Sequence, residues 1–192
     1  MVGLKSRAVA LRLGADGVHA HVVRLPISDE ARTSHPVLEP GVGGYGTTFG
    51  AAPFRDFAIA VAPMGTVAPD IHAASFNPWE PSATLQTTIG TEGVVGTPGM
   101  PGVTGDSLSG LIAVCVPVDT STPEMSRTEI LVYLLGPRLE PLGTFARVGT
   151  LSPRMPADTA CEVGFSSSGI LVAWRSRTET EVWVRPLAPA AR

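Results

Sequence analysis

The sequence predicts an all-β protein, built from repeated short antiparallel strands with long Gly/Pro-rich loops between them. Three observations carry that expectation. Gly 21 and Pro 18 together take about a fifth of the 192 residues, too much punctuation for a helical bundle. The windows they leave open are short and rich in β-branched residues. Those windows also recur at intervals of fifty-odd residues, the upper edge of blade-like β repeats.

Taken in order, the first set of windows is Arg7–Leu13, Phe57–Ala62, Leu111–Val116 and Ile170–Trp174. Each is an apolar run of strand length bounded by turn residues, as a buried strand is. A second set follows each at a distance: Val18–Leu25, Ile71–Phe76, Ile130–Leu135 and Val182–Leu187. Thr122-Pro123-Glu124 and Gly136-Pro137 frame a helix as a rival for the third of these. The run from Ile130 to Leu135 is continuously apolar rather than striped, so a strand is the expectation there. The chain then reads as one domain over 1–192, divisible into four repeats near 1–50, 51–104, 105–158 and 159–192. Either a propeller-like array or a non-repetitive barrel or sandwich fits this pattern.

The third and fourth repeats share Ser-x-Ser-Gly, an apolar strand, Thr-x-Glu and a second strand. The stretch GILVAWRSRTETEVWVRPL, Gly169–Leu187, resembles the strand-turn-strand core of bacterial β-propeller repeats, in which a Trp-ending strand turns into an E-[IV]-W/Y strand. The resemblance extends more loosely over Ser107–Leu135, and it implies blade-like repeats of two or more strands each and a binding role.

Composition excludes several classes. The 44% hydrophobic fraction supports a core, and 16% charged residues is low for a soluble domain. Net charge is −3 and Lys5 is the one lysine, which argues against a nucleic-acid partner. No apolar run approaches a membrane span. Arg12 interrupts the apolar stretch behind Lys5 and Arg7, so the first residues do not read as a secretory signal, and synthesis in the cytoplasm is the expectation. Cys115 and Cys161 are then expected as two buried thiols, with a bridge between them as the alternative.

Few motifs suggest chemistry. Gly105–Ser109 spells GDSLS and resembles the nucleophile block of the GDSL esterases, which implies Ser107 as nucleophile. All four histidines, His19, His21, His35 and His72, precede it, and the family's downstream Asp-x-x-His has no counterpart. A serine without a base in reach is a poor nucleophile, so a polar turn is expected and the protein is read as no enzyme. His19 and His21 alternate on one strand face and could give two metal ligands. His72 falls at the matching repeat position as a third, against the ordinary reading of strand histidines. Gly41–Gly46 lacks the Lys-[ST] of a phosphate loop, and no cofactor is expected.

From Gly90 to Ser107 glycine recurs at every third residue through six triplets, the spacing a triple helix demands. The alternative is an extended loop on a surface. Ordering a glycine-rich backbone is costly, and Val94, Val95, Met100 and Val103 offer little to bury. The segment is therefore expected to lean on neighbours, with Gly93, Gly96, Gly99, Tyr45 and the loop aromatic Trp79 as interaction residues. The functional expectation is a non-enzymatic structural subunit of a larger assembly, such as a virion or tail, contacting protein partners or copies of itself. The alternative is a soluble or envelope domain that binds a protein or carbohydrate.

Overall fold

The computed structural model describes residues 2–4, 7–14, 17–24, 34–38, 49–64, 70–77, 80–90, 93–122, 124, 127–142, 146–151, 160–167, 169–175 and 182–187, with side chains placed mainly between 49 and 174. All regular structure in this set is strand. Sheet I comprises β1 (Val2–Leu4), β2 (Arg7–Gly14), β3 (Gly17–Arg24) and β4 (Ser34–Leu38). Sheet II comprises β5 (Gly50–Phe54), β6 (Phe57–Met64), β7 (Asp70–Asn77) and β8 (Glu80–Ile89). Sheet III holds β9 (Thr97–Pro98), β10 (Gly102–Asp106), β11 (Leu111–Asp119), β12 (Arg127–Leu135) and β13 (Ala146–Leu151). Sheet IV holds β14 (Ala160–Ser166), β15 (Gly169–Arg175) and β16 (Val182–Leu187).

Every sheet is an antiparallel meander whose strands pair in chain order, apart from β9, which joins β11 beyond the end of β10. All eight windows read from the sequence lie on strands over their described residues, Leu25 falling outside these: β2 and β3, β6 and β7, β11 and β12, β15 and β16. Residues 130–135 lie in β12, so the helical rival is excluded. The flanking strands escaped the apolar signal: β8 is Glu-Pro-Ser-Ala-Thr-rich and β10 carries two glycines. The boundary drawn after residue 104 falls inside β10, because the third sheet begins at β9.

The sheets stack in chain order. Counting sheet III from β10, where its meander starts, the first strands lie side by side, β1 against β5, β5 against β10 and β10 against β14, while β4 packs beside β7 and β8. Sheet III is the filling between two neighbours. Ile112, Val114, Val116 and Val118 of β11, with Leu131, Tyr133 and Leu135 of β12, face Phe54, Ile59, Val61, Ile71 and Ala73 of sheet II. The alternate residues Ala113, Cys115, Ile130 and Val132 face Cys161, Val163, Val172 and Trp174 of sheet IV. Burial on both faces is why β11 and β12 read as unbroken apolar runs. Sheet II is likewise closed on its second face, where Ala58, Ala60, Ala62, Ala74 and Phe76 are fully buried. In β15, Val172 and Trp174 are buried while Leu171 and Ala173 are only half-buried.

Cys115 and Cys161 correct an expectation. They form a disulfide between β11 and β14, with Cα atoms 6.2 Å apart. Two residues 46 apart in sequence meet because each sits on the face its sheet turns toward the other, a juxtaposition set by sheet stacking.

Candidate functional site

The glycine triplets are resolved within the chain. Thr97 and Pro98 pair with Asp119 and Val118, and Gly102–Asp106 pairs with Leu111–Cys115. Gly99 donates its N–H to the Pro117 carbonyl at 2.8 Å. The segment thus follows β11 along its whole length, interrupted at Met100-Pro101, where proline has no N–H to give. Val94 and Val103 are buried in the core shared with sheet II. The ordering cost that suggested neighbouring chains is met from 97 to 106 by the chain's own strand ladder, and triple-helical winding does not occur there. Close approach explains the glycines in detail. A Cβ on Gly96 would overlap the Asp119 carbonyl, one on Gly102 the Cys161 carbonyl, and one on Gly105 the Phe54 ring. Gly93 is different: its φ of +83° lies in the left-handed region and its Cα faces open space.

Where β10 turns into β11, the GDSLS residues form a hairpin loop. The Asp106 carboxylate accepts the N–H groups of Leu108 at 3.1 Å and Ser109 at 3.2 Å, and its carbonyl accepts that of Gly110 at 2.9 Å. Hydrogen bonds from the Ser109 side chain and the Leu108 N–H hold the Asp106 carboxyl below its ordinary range. This is an Asx-type turn with its own local chemistry. Ser107 Oγ accepts the Arg55 N–H at 3.3 Å. Arg55 sits in the two-residue β5–β6 turn at φ +55°, and its guanidinium lies 5.2 Å from the Phe54 ring centroid. The same guanidinium occupies the space beside Gly110, where a Cβ would come within 2.9 Å of Nη2.

Two first-strand turns of adjacent sheets are thereby locked together. Between them they present apolar groups to solvent: Leu108 is 98% exposed and Phe57 41%. Leu108 stands at the tip of a loop whose backbone N–H groups at 108, 109 and 110 are bonded to Asp106. Nothing in the GDSLS string itself marks this leucine as exposed.

The remaining candidates are dispersed. His72 lies on β7 with Nε2 3.5 Å from Thr88 Oγ1, and burial lowers its pKa while Asp70 opposes the shift. His19 and His21 lie on β3, in a different sheet, with side chains outside the described residues, as does His35 on β4. Among the described residues no three His, Cys, Asp or Glu side chains gather as a metal site. Trp79, Tyr45 and Gly41–Gly46 lie outside the described residues. Trp174 fills the core between sheets III and IV. Glu129, 1% exposed, is held by Arg147 through Nε and Nη2 and by Arg127 Nε at 3.0 Å. These arginines are about half exposed. No helix of the described residues is long and apolar enough to cross a membrane.

Comparison with protein-family models, curated proteins and solved structures returned no match. The assignment of a role therefore rests on this geometry.

Proposed function

We propose that the chain is a non-enzymatic interaction module, a run of propeller-type blades that binds a protein partner through its first-strand turns. Four consecutive antiparallel meanders of three to five strands with adjacent first strands support the blade reading, since propellers are radial repeats of small antiparallel sheets, typically four-stranded. The observation that carries the binding role is the locked pair of turns with Leu108 almost wholly in solvent. A loop already fixed by its own hydrogen bonds loses little freedom on docking, so an apolar anchor there contributes most of its burial to affinity.

A photo-crosslinking side chain at position 108, compared with one at exposed Glu162 on sheet IV, tests this. A protein captured from position 108 alone, and lost on Phe57→Ser, is the expected result. Equal labelling from both positions removes the role of the turns. The assembly reading uses the same surface with another copy as partner. Mass in solution at micromolar concentration separates the two: a ring or large oligomer that Leu108→Ser disperses favours the assembly, and a monomer the module.

A further inference from the structure

The disulfide lies buried in the interface between sheets III and IV. Cys115 is 0% exposed and Cys161 2%. Cys115 sits mid-strand in β11, flanked in register by Gly102 on β10 and Val132 on β12. Cys161 sits on β14 opposite Trp174, and its N–H donates to the Met100 carbonyl at 3.2 Å. Above the bond, Gly102 supplies no side chain: a Cβ there would stand 3.0 Å from Cys115 Sγ and would overlap the Cys161 carbonyl. The interface is fitted around the sulfurs with no room for a third.

Disulfide formation by thiol–disulfide exchange requires that third sulfur. One cysteine thiolate attacks an oxidant disulfide, giving a mixed disulfide and releasing one oxidant thiol. The second cysteine thiolate then attacks the protein sulfur of that intermediate and releases the other. Two electrons pass to the oxidant and two protons leave the cysteines. An intermediate bulky enough to carry a thiol compound or protein on Sγ cannot exist with the sheets closed. We infer that Cys115 and Cys161 are joined before sheet IV closes on sheet III, by a disulfide-bearing oxidant in an oxidising compartment, and that closure then masks the bond. A reducing cytosol keeps such thiols reduced, so the bond marks where the chain matures. With two cysteines in the whole sequence, no wrong intramolecular pairing competes.

The test is to produce the chain in a bacterial cytosol and, behind an added export leader, in the periplasm. Each product is treated with iodoacetamide in guanidinium and weighed intact. The periplasmic protein is expected to take no alkyl group until reduced, and then two; the cytosolic protein is expected to take two at once. Reduction by dithiothreitol under native conditions should be slower than in guanidinium by about a hundredfold or more, because it must await opening of the interface. Gly102→Ala should keep the bond in full while native reduction quickens about tenfold. Two alkyl groups on unreduced periplasmic protein, or full oxidation in the cytosol, would overturn the compartment. Equal reduction rates in native and denaturing solution would overturn the masking. Loss of the bond in Gly102→Ala would show that pairing needs the closed interface, and would overturn the order of events.

Discussion

The core between sheets II and III is a broad apolar cluster of seventeen described residues, drawn from both sides and running from Ala52 to Leu139. The core between sheets III and IV is a cluster of eight buried residues drawn from both sheets, including Ala113, the two cysteines and Trp174. The first interface is large enough to be held by burial, at roughly 1.5–3 kcal/mol for each large side chain removed from water. The second is smaller and adds a covalent bond. Where the apolar area of a contact between sheets is limited, a cross-link across the interface supplies the difference by restricting the unfolded chain.

The comparison breaks most directly at Leu131, fully buried against sheet II. Leu131→Ala is expected to cost about 2–5 kcal/mol in urea unfolding, with sheets II and III lost in one transition. If only a minor, local change in amide exchange followed, the aliphatic interface would not be the one that holds the fold. Next in size, Cys115→Ala with Cys161→Ala should cost about 2–4 kcal/mol, since the closed loop is of moderate length. Here β14–β16 should gain fast amide exchange while β6 and β7 keep their protection. Uniform loss of protection across all sheets would mean that the two interfaces are not separable.

Arg147→Ala probes the rim of sheet III rather than either core. It leaves the buried Glu129 carboxylate with Arg127 as its remaining described guanidinium, and a loss of about 1–3 kcal/mol is expected. The Glu129→Gln/Arg147→Ala double variant should recover part of that loss, as a double-mutant cycle would show. The smallest effect belongs to His72, on the face of sheet II turned toward sheet I. Its pKa is lowered from the ordinary 6.5, chiefly by burial, so the unfolded chain binds the proton more readily. Stability from this group is complete above pH 6.5 and declines as pH falls through the lowered value. Thermal melts across that window should show a shallow decline that His72→Gln removes.

Much of the architecture was legible in the order of residues. The windows in β6, β7, β11 and β12 left a plain signal because a sheet covered on both faces needs apolar side chains at consecutive positions. β8 and β10 left none: Glu80, Ser82 and Gly102 belong to strands whose pairing partners, not their own side chains, specify them. Of the candidate site, the polar turn at Asp106–Ser109 was legible from local Asx chemistry. Its coupling to Arg55, fifty-two residues away from Ser107, was not.

The sequence by itself determined that the chain forms β-strands, how many long apolar ones it holds and where the tight turns fall. These depend on contacts between near neighbours and on period-two patterning. The tertiary structure alone decided the rest. A glycine at every third position suggests winding, yet Gly96, Gly102 and Gly105 are there because three different segments, Asp119, Cys161 and Phe54, pass too close for a side chain. Two cysteines suggest free thiols until stacking turns their faces together. Leu108 is an ordinary leucine until the loop around it is complete without it. Such facts are set by which sheet lies against which, and no local pattern encodes that.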